Sequence, residues 1–160
     1  MSEALFAASV PVFAHYLGRA AGIVARAGDR LDAQIGGAFP AGQQFATAAG
    51  FALRVACPLA GRAVPVLDGA VAERIARAQD VLAGLTPADF SGAGTRLIVH
   101  RAGFADLHQT GADFLHLFGL PNFFFHLTMG YAALRAAGMP LGKADFDGFH
   151  TYPPRFAFPG

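Results

Sequence analysis

The chain is short of charge, of cysteine and of every common catalytic signature. Only 14% of its 160 residues are Asp, Glu, Lys or Arg, against roughly 25% in ordinary soluble domains. So modest a polar surface predicts that an apolar face is hidden against a second copy, and a homodimer is the expected assembly. The net charge is +1 and no basic run or stripe occurs, which leaves a nucleic-acid role without support. The one cysteine, Cys57, excludes an intramolecular disulfide framework and suits a reducing cytosol. It stands in an apolar stretch before Pro58 with no cation beside it, and reads as a small buried hydrophobe rather than a reactive thiol.

The mean hydropathy is +0.40, and 54% of the residues are hydrophobic, many of them alanine. Yet no run of about 18 apolar residues is free of charge, proline or several glycines, so no membrane span is expected. The start lacks a basic stretch and a cleavage-site pattern, which argues against a secretory signal, and a cytoplasmic location is expected. No GxSxG, P-loop, HExxH or GxGxxG occurs. There is no internal repeat, and the length fits one domain with a sizeable core.

What is present is helical spacing. Leu5, Phe6, Ser9, Val10, Phe13, Leu17, Ala20 and Val24 recur at three and four residues, which predicts a first helix from Ser2, its cap, to about Arg26. Pro11 requires a kink or a later start. Gly28 to Pro40 is a connection. A second helix is expected from Pro40 to Ala56, with Phe45, Ala48, Ala49, Ala52, Leu53 and Ala56 on its apolar face and Gln43 and Gln44 near its start. Asp68 is placed to cap a third helix over Gly69 to Ala83, with Gly84 just past its end. Thr86 and Pro87 open a short helical turn. Thr95 to Gly111 alternates in the manner of a β-hairpin and carries His100 and His108, read as solvated strand residues or a surface metal site.

The last helix, Asp113 to Ala137, is apolar nearly all the way round, the mark of a buried helix. Gly119-Leu120-Pro121 should bend it, because proline offers no N–H to the carbonyl of Leu117. Its polar residues His116, Asn122, His126, Thr128 and Tyr131 need partners. Asn122 and His126, four apart, lie about 40° from each other around the helix and can face one cavity. His116 and His126, ten apart, are roughly 15 Å apart along it, too far to share one ion. His15 and Tyr16 share the first helix, and one of them should face the interior. The tail from Asp145 to Gly160, rich in aromatics and proline, cannot be helical. Phe146, Phe149, Phe156 and Phe158 suggest that it docks on the body, residues 1–144, or on a partner subunit.

Four helices joined by short connections imply an all-α, antiparallel four-helix bundle with a small hairpin before the last helix. The run Leu120-Pro121-Asn122-Phe123-Phe124-Phe125-His126-Leu127-Thr128, then Tyr131 to Arg135, Gly138 and Pro140 to Lys143, resembles the closing signature of a bacterial family of unknown function in the DinB/YfiT-like superfamily. Ser9 to Phe13, Phe39-Pro40 with Gln44, and Leu85-Thr86-Pro87 with Phe90 match as well, so the resemblance covers residues 1 to about 146. Many members of that superfamily hold a divalent metal with one histidine from the second helix and two, four apart, from the last. Several are thought to be thiol-dependent transferases or hydrolases. Here the second helix offers only Gln43 and Gln44, and Asn122 stands where the first histidine of the pair would be. Amide oxygens suit calcium or magnesium, whereas zinc prefers nitrogen or sulfur.

Three readings therefore stand. In the first, Gln44, Asn122 and His126 form an interior polar cluster, joined in the candidate ligand set by His15 and Tyr131, that fixes packing or binds a small molecule. In the second, His126 anchors a rearranged divalent-metal site, with His15 or His116 as a further imidazole, in a transferase or hydrolase. A metal-free acid–base role for His126 belongs with it. In the third, the apolar faces and aromatic tail make a dimer or dock a partner. No cofactor is implied beyond the metal of the second reading.

Overall fold

A computed structural model of the chain describes residues 2–157, with side chains from Ala4 onward. The expected cap at Ser2 and the tail's Phe158 lie outside those descriptions. The first helical stretch is two helices, α1 (Ser2–Ala7) and α2 (Val10–Ala27). The break is at Ala8-Ser9, ahead of Pro11. The buried Ser9 hydroxyl donates to the Leu5 carbonyl at 2.6 Å and its N–H to Phe6 at 3.1 Å, which closes α1. Pro11 then sits in the first turn of α2, where a missing N–H costs nothing. The next helix, α3 (Ala41–Leu59), runs on past the expected end at Ala56, through Pro58.

Helix α4 is Val71–Ala83, two residues shorter at its start than the spacing predicts. Asp68 does not cap it. Glu73 does, by accepting the N–H of Ala70 at 2.7 Å. Gly84 closes the helix with φ −85°, a right-handed rather than a left-handed cap. The turn Pro87–Phe90 starts as expected, with Asp89 accepting from the N–H (2.7 Å) and hydroxyl (2.8 Å) of Thr86.

The hairpin forms as expected, β1 (Leu97–Ala102) antiparallel to β2 (Ala105–Thr110). Gly103, at φ +59°, supplies the left-handed turn that favours glycine. Ile98 is buried, and His100 lies against Phe114 and Phe118, so His100 is a packed residue and not a solvated one. His108 is exposed.

The final stretch starts with α5 (Gly111–Asp113), widens into a π-helical segment over Phe114–Gly119 and continues as α6 (Leu120–Ala136). The bend expected at Pro121 therefore takes the form of a wider turn just before it, a recurrent way for a helix to absorb a break in its ladder. A Cβ on Gly119 would come within 2.8 Å of Val55, and one on Gly130 within 2.9 Å of the Phe45 ring. Both glycines let α6 close onto α3. The helix is not buried on every face, contrary to its composition: Leu117 is 70% exposed and Phe125 56%.

The tail is also not free of helix. Lys143–Asp147 forms α7, closed by Gly148 at φ +77°. This turn packs on α2. Arg19 donates to the carbonyls of Asp145 and Ala144, both at 3.1 Å, and Arg26 pairs with the Asp145 carboxylate at 2.7 Å. The core lies where α3 packs against α6 and α4, and α2 against α4. Phe13, Phe45, Phe90, Phe114 and Phe123 are fully buried there, each worth about 1.5–3 kcal/mol of transfer free energy. Among the described residues, no helix is long and apolar enough to cross a membrane.

Candidate functional site

Two of the five candidate ligand-binding residues meet directly. Gln44, in the first turn of α3, is 2% exposed. Its side-chain oxygen lies 2.7 Å from Nδ1 of His126 on α6. With that oxygen accepting, Nδ1 carries the proton and Nε2 of a neutral imidazole is left as an acceptor. The ring is stacked on Phe51, centroids 5.4 Å apart, and meets Phe125 edge-on at 5.2 Å. Arg54 lies over the Phe51 ring, its guanidinium 4.6 Å from the ring centre. Burial, and then the charge of Arg54, push the His126 pKa below its usual 6.5. Both act against a second positive charge.

His126 and Gln44 share a pocket of about 200 Å³ with Gly37, Ala38, Phe39 and Phe125. The pocket wall is thus partly the connection before α3, of which the sequence marked Phe39 and Pro40 only as part of the resemblance and did not mark Ala38. Phe51 and Arg54 were equally unmarked. Their spacing was the available sign: Gln44, Thr47, Phe51 and Arg54 step by three, four and three residues, which lines them along one face of α3.

The other candidates lie elsewhere. Asn122 shares a helix face with His126, but its amide donates to the carbonyl of Phe118 at 2.7 Å, so no Gln–Asn–His network forms. His116 turns back to the Ala112 carbonyl at 2.8 Å and is exposed. His15 is held at the tail, with Nε2 2.7 Å from the Asp147 carbonyl and its ring stacked on Phe149 at 4.9 Å. Tyr131 meets Phe146 of α7 edge-on at 5.6 Å, on the same side as His15, because Phe146 also touches Tyr16. Four of the five candidates therefore fall into two pairs, Gln44 with His126 and His15 with Tyr131, of which α7 holds the second, and Asn122 joins neither.

The tail also carries a cluster that spacing did not reveal. The Asp147 carboxylate accepts from the N–H of Phe149 (2.8 Å), from the N–H of His150 (3.1 Å) and from Nδ1 of His150. Burial opposes its ionisation, but these hydrogen bonds outweigh it and hold the carboxyl at about 2. Aspartate three residues before histidine was the only sign of it in the sequence.

The model of a domain of unknown function, DUF1993, matches residues 5–147. The chain belongs to that family. Its fold is that of a DinB family member from Shewanella denitrificans, whose crystal structure superposes with a TM-score of 0.82 at 26% identity, over 95% of this chain and 96% of that one. No curated protein matches. The DUF1993 match and the DinB-like fold place this chain in the superfamily that its closing motif resembles.

Within that superfamily a three-histidine metal site is the point of interest, and the residues at the matching positions of this DUF1993 chain do not fit one. Gln44 and His126 Nδ1 satisfy each other, and Asn122 is turned to its own helix. Only His126 Nε2 remains as a nitrogen donor, against the three or four ligands that a transition metal takes. Among the described residues, no three His, Cys, Asp or Glu side chains come together in a group that could hold a metal ion.

Proposed function

We propose that this DUF1993 chain is a binding protein that takes a small, mostly apolar molecule with one hydrogen-bond donor at the Gln44–His126 pocket, without a transition metal. The observation that carries this reading is the 2.7 Å contact between Gln44 Oε1 and His126 Nδ1. It fixes the imidazole's orientation and tautomer, and it leaves Nε2 as the pocket's acceptor. Phe39 and Phe125 supply apolar walls, and the depressed pKa of His126 keeps that acceptor unprotonated at neutral pH. A pocket that is apolar with a few placed polar groups is the ordinary form of a small-molecule site.

The same reading takes α2, α3, α4 and α6 as an antiparallel four-helix bundle in the bacterial cytosol. It is supported by the packing of α3 on α4 and α6, of α2 on α4, and by Phe13 of α2 against Phe123 of α6 at 4.8 Å. A homodimer in which the exposed Leu117 and Phe125 meet a second copy accounts for the low surface charge. Leu117→Glu with Phe125→Glu should then give a folded monomer by light scattering.

The test is metal content of the untagged protein beside that of His126→Ala, followed by a thermal-shift screen of metabolites. No metal in either protein after incubation with zinc, nickel and manganese, together with a ligand whose stabilisation is lost in His126→Ala, is the expected result. About one equivalent of metal, lost in the variant, would overturn the metal-free reading in favour of a divalent-metal enzyme anchored on His126.

A further inference from the structure

The second half of α6 borders a larger cavity, on which the function proposed above does not draw. It measures about 580 Å³ and is lined by Tyr131, Arg135, Leu141, Lys143, Tyr152 and Phe156, with Gly142 and Ala157. That volume lies within the range of small-molecule sites. Three of its walls are aromatic rings. Tyr131 and Arg135 project from successive turns of α6, and the guanidinium lies 5.9 Å from the Tyr131 ring centre. Lys143, the only lysine of the chain, enters from the start of α7. Tyr152 and Phe156 close the outer side, stacked at 5.3 Å with 11° between their planes. The loop that brings them there is pinned by Asp147 on His150 and by His15 on the Asp147 carbonyl.

The charge of this cavity is one-sided. No Asp or Glu among the described residues lines it. Among the described residues, neither Arg135 nor Lys143 forms a salt bridge, whereas Arg26, Arg62 and Arg101 each have a carboxylate partner. Two cations beside stacked aromatic rings, with no protein anion among the lining residues, are suited to a ligand that brings its own negative charge on a flat apolar body. Arg135 can take a carboxylate or phosphate with two parallel N–H bonds, and Lys143 can take it as a point charge.

We propose that this cavity is a binding site for a small aromatic acid, with the anionic group held between Arg135 and Lys143 and the ring packed against Tyr131, Tyr152 and Phe156. The site is separate from the Gln44–His126 pocket and shares no lining residue with it.

The test is calorimetric titration of the full chain with 2-naphthoate at low salt, with 2-naphthamide as the uncharged control. Saturable binding of one equivalent is expected for the acid. The amide should bind at least tenfold more weakly, since it lacks the charge that the two cations recognise. Arg135→Gln combined with Lys143→Gln alters exposed side chains only, so its melting temperature should match the parent while affinity for the acid falls about tenfold or more. Tyr152→Ala should weaken the acid and the amide alike, by removing the shared ring contact. His126→Ala should leave 2-naphthoate binding unchanged, and this separates the site from the pocket proposed above. Equal affinity for acid and amide, an undiminished affinity in the folded double variant, or loss of binding in His126→Ala would each overturn the assignment.

Discussion

Helix α6 carries two pockets of opposite chemistry about one and a half turns apart. Around His126 the walls are apolar and the one titratable group is held neutral by burial and by Arg54. Around Tyr131 the walls are aromatic, and two cations stand without a carboxylate partner among the described residues. The first pocket is made by the contact of α6 with α3 and the connection before it. The second is made by α7 and the loop after it. A single amphipathic pattern cannot carry that distinction, because Phe125, His126 and Tyr131 all read as positions of one apolar helix. What differs is the element laid against each half.

Phe123, three residues before His126 on α6, is fully buried and meets both Phe13 and Phe124. Phe123→Ala should lower unfolding free energy by about 3–5 kcal/mol, read by denaturant titration, and weaken ligand binding at both sites. An effect under about 1 kcal/mol would show that α6 repacks freely and that the two halves do not share a core.

A smaller and one-sided effect is expected at Gln44. Gln44→Ala leaves His126 Nδ1 without its partner, at a cost of about 1–3 kcal/mol, and should abolish selectivity at the apolar pocket while 2-naphthoate still binds. Loss of both would join the two pockets into one site.

The pH response sharpens the contrast further. His126 has a folded-state pKa below the 6.5 of the free side chain, so between those values the unfolded chain binds more protons than the folded one. Stability contributed by this group is therefore present above 6.5 and falls as pH drops through 6.5 toward the folded value. His126→Phe should flatten melting temperature against pH in that window relative to the parent. Asp147 acts lower down. Its pKa of about 2 lies under the usual 3.8, so its contribution is present above 3.8 and is lost as pH falls toward 2. At neutral pH, Asp147→Asn removes that contribution, so it should lower the melting temperature and speed amide exchange at Phe149 and His150, whose N–H groups the carboxylate holds. Unaltered exchange there would show that the tail is fixed by Phe146 and Arg19 alone.

Much of this was legible in the residues. The helices, the hairpin and the turn at Thr86 follow from spacing and caps, because those are local interactions that a short window records. The expected kink or later start at Pro11 is met by the start of α2 at Val10, but the same window did not show the Ser9 hydroxyl that closes the turn behind it. It missed the cap at Glu73, since Asp68 looked the better placed. It also took the whole stretch from Asp113 to Ala137 as buried: composition reports which residues are apolar and not which faces are covered, and Leu117 and Phe125 are exposed.

The pairing of Gln44 with His126 shows the same division. The sequence by itself determined that both residues needed partners, because polar groups in apolar helices must be satisfied. Only the tertiary structure decided that they satisfy each other while Asn122 turns to Phe118, and that His15 and Tyr131 belong to the tail instead. Hydrogen-bond partners more than 80 residues apart are chosen by where helices cross, and no local pattern encodes that crossing.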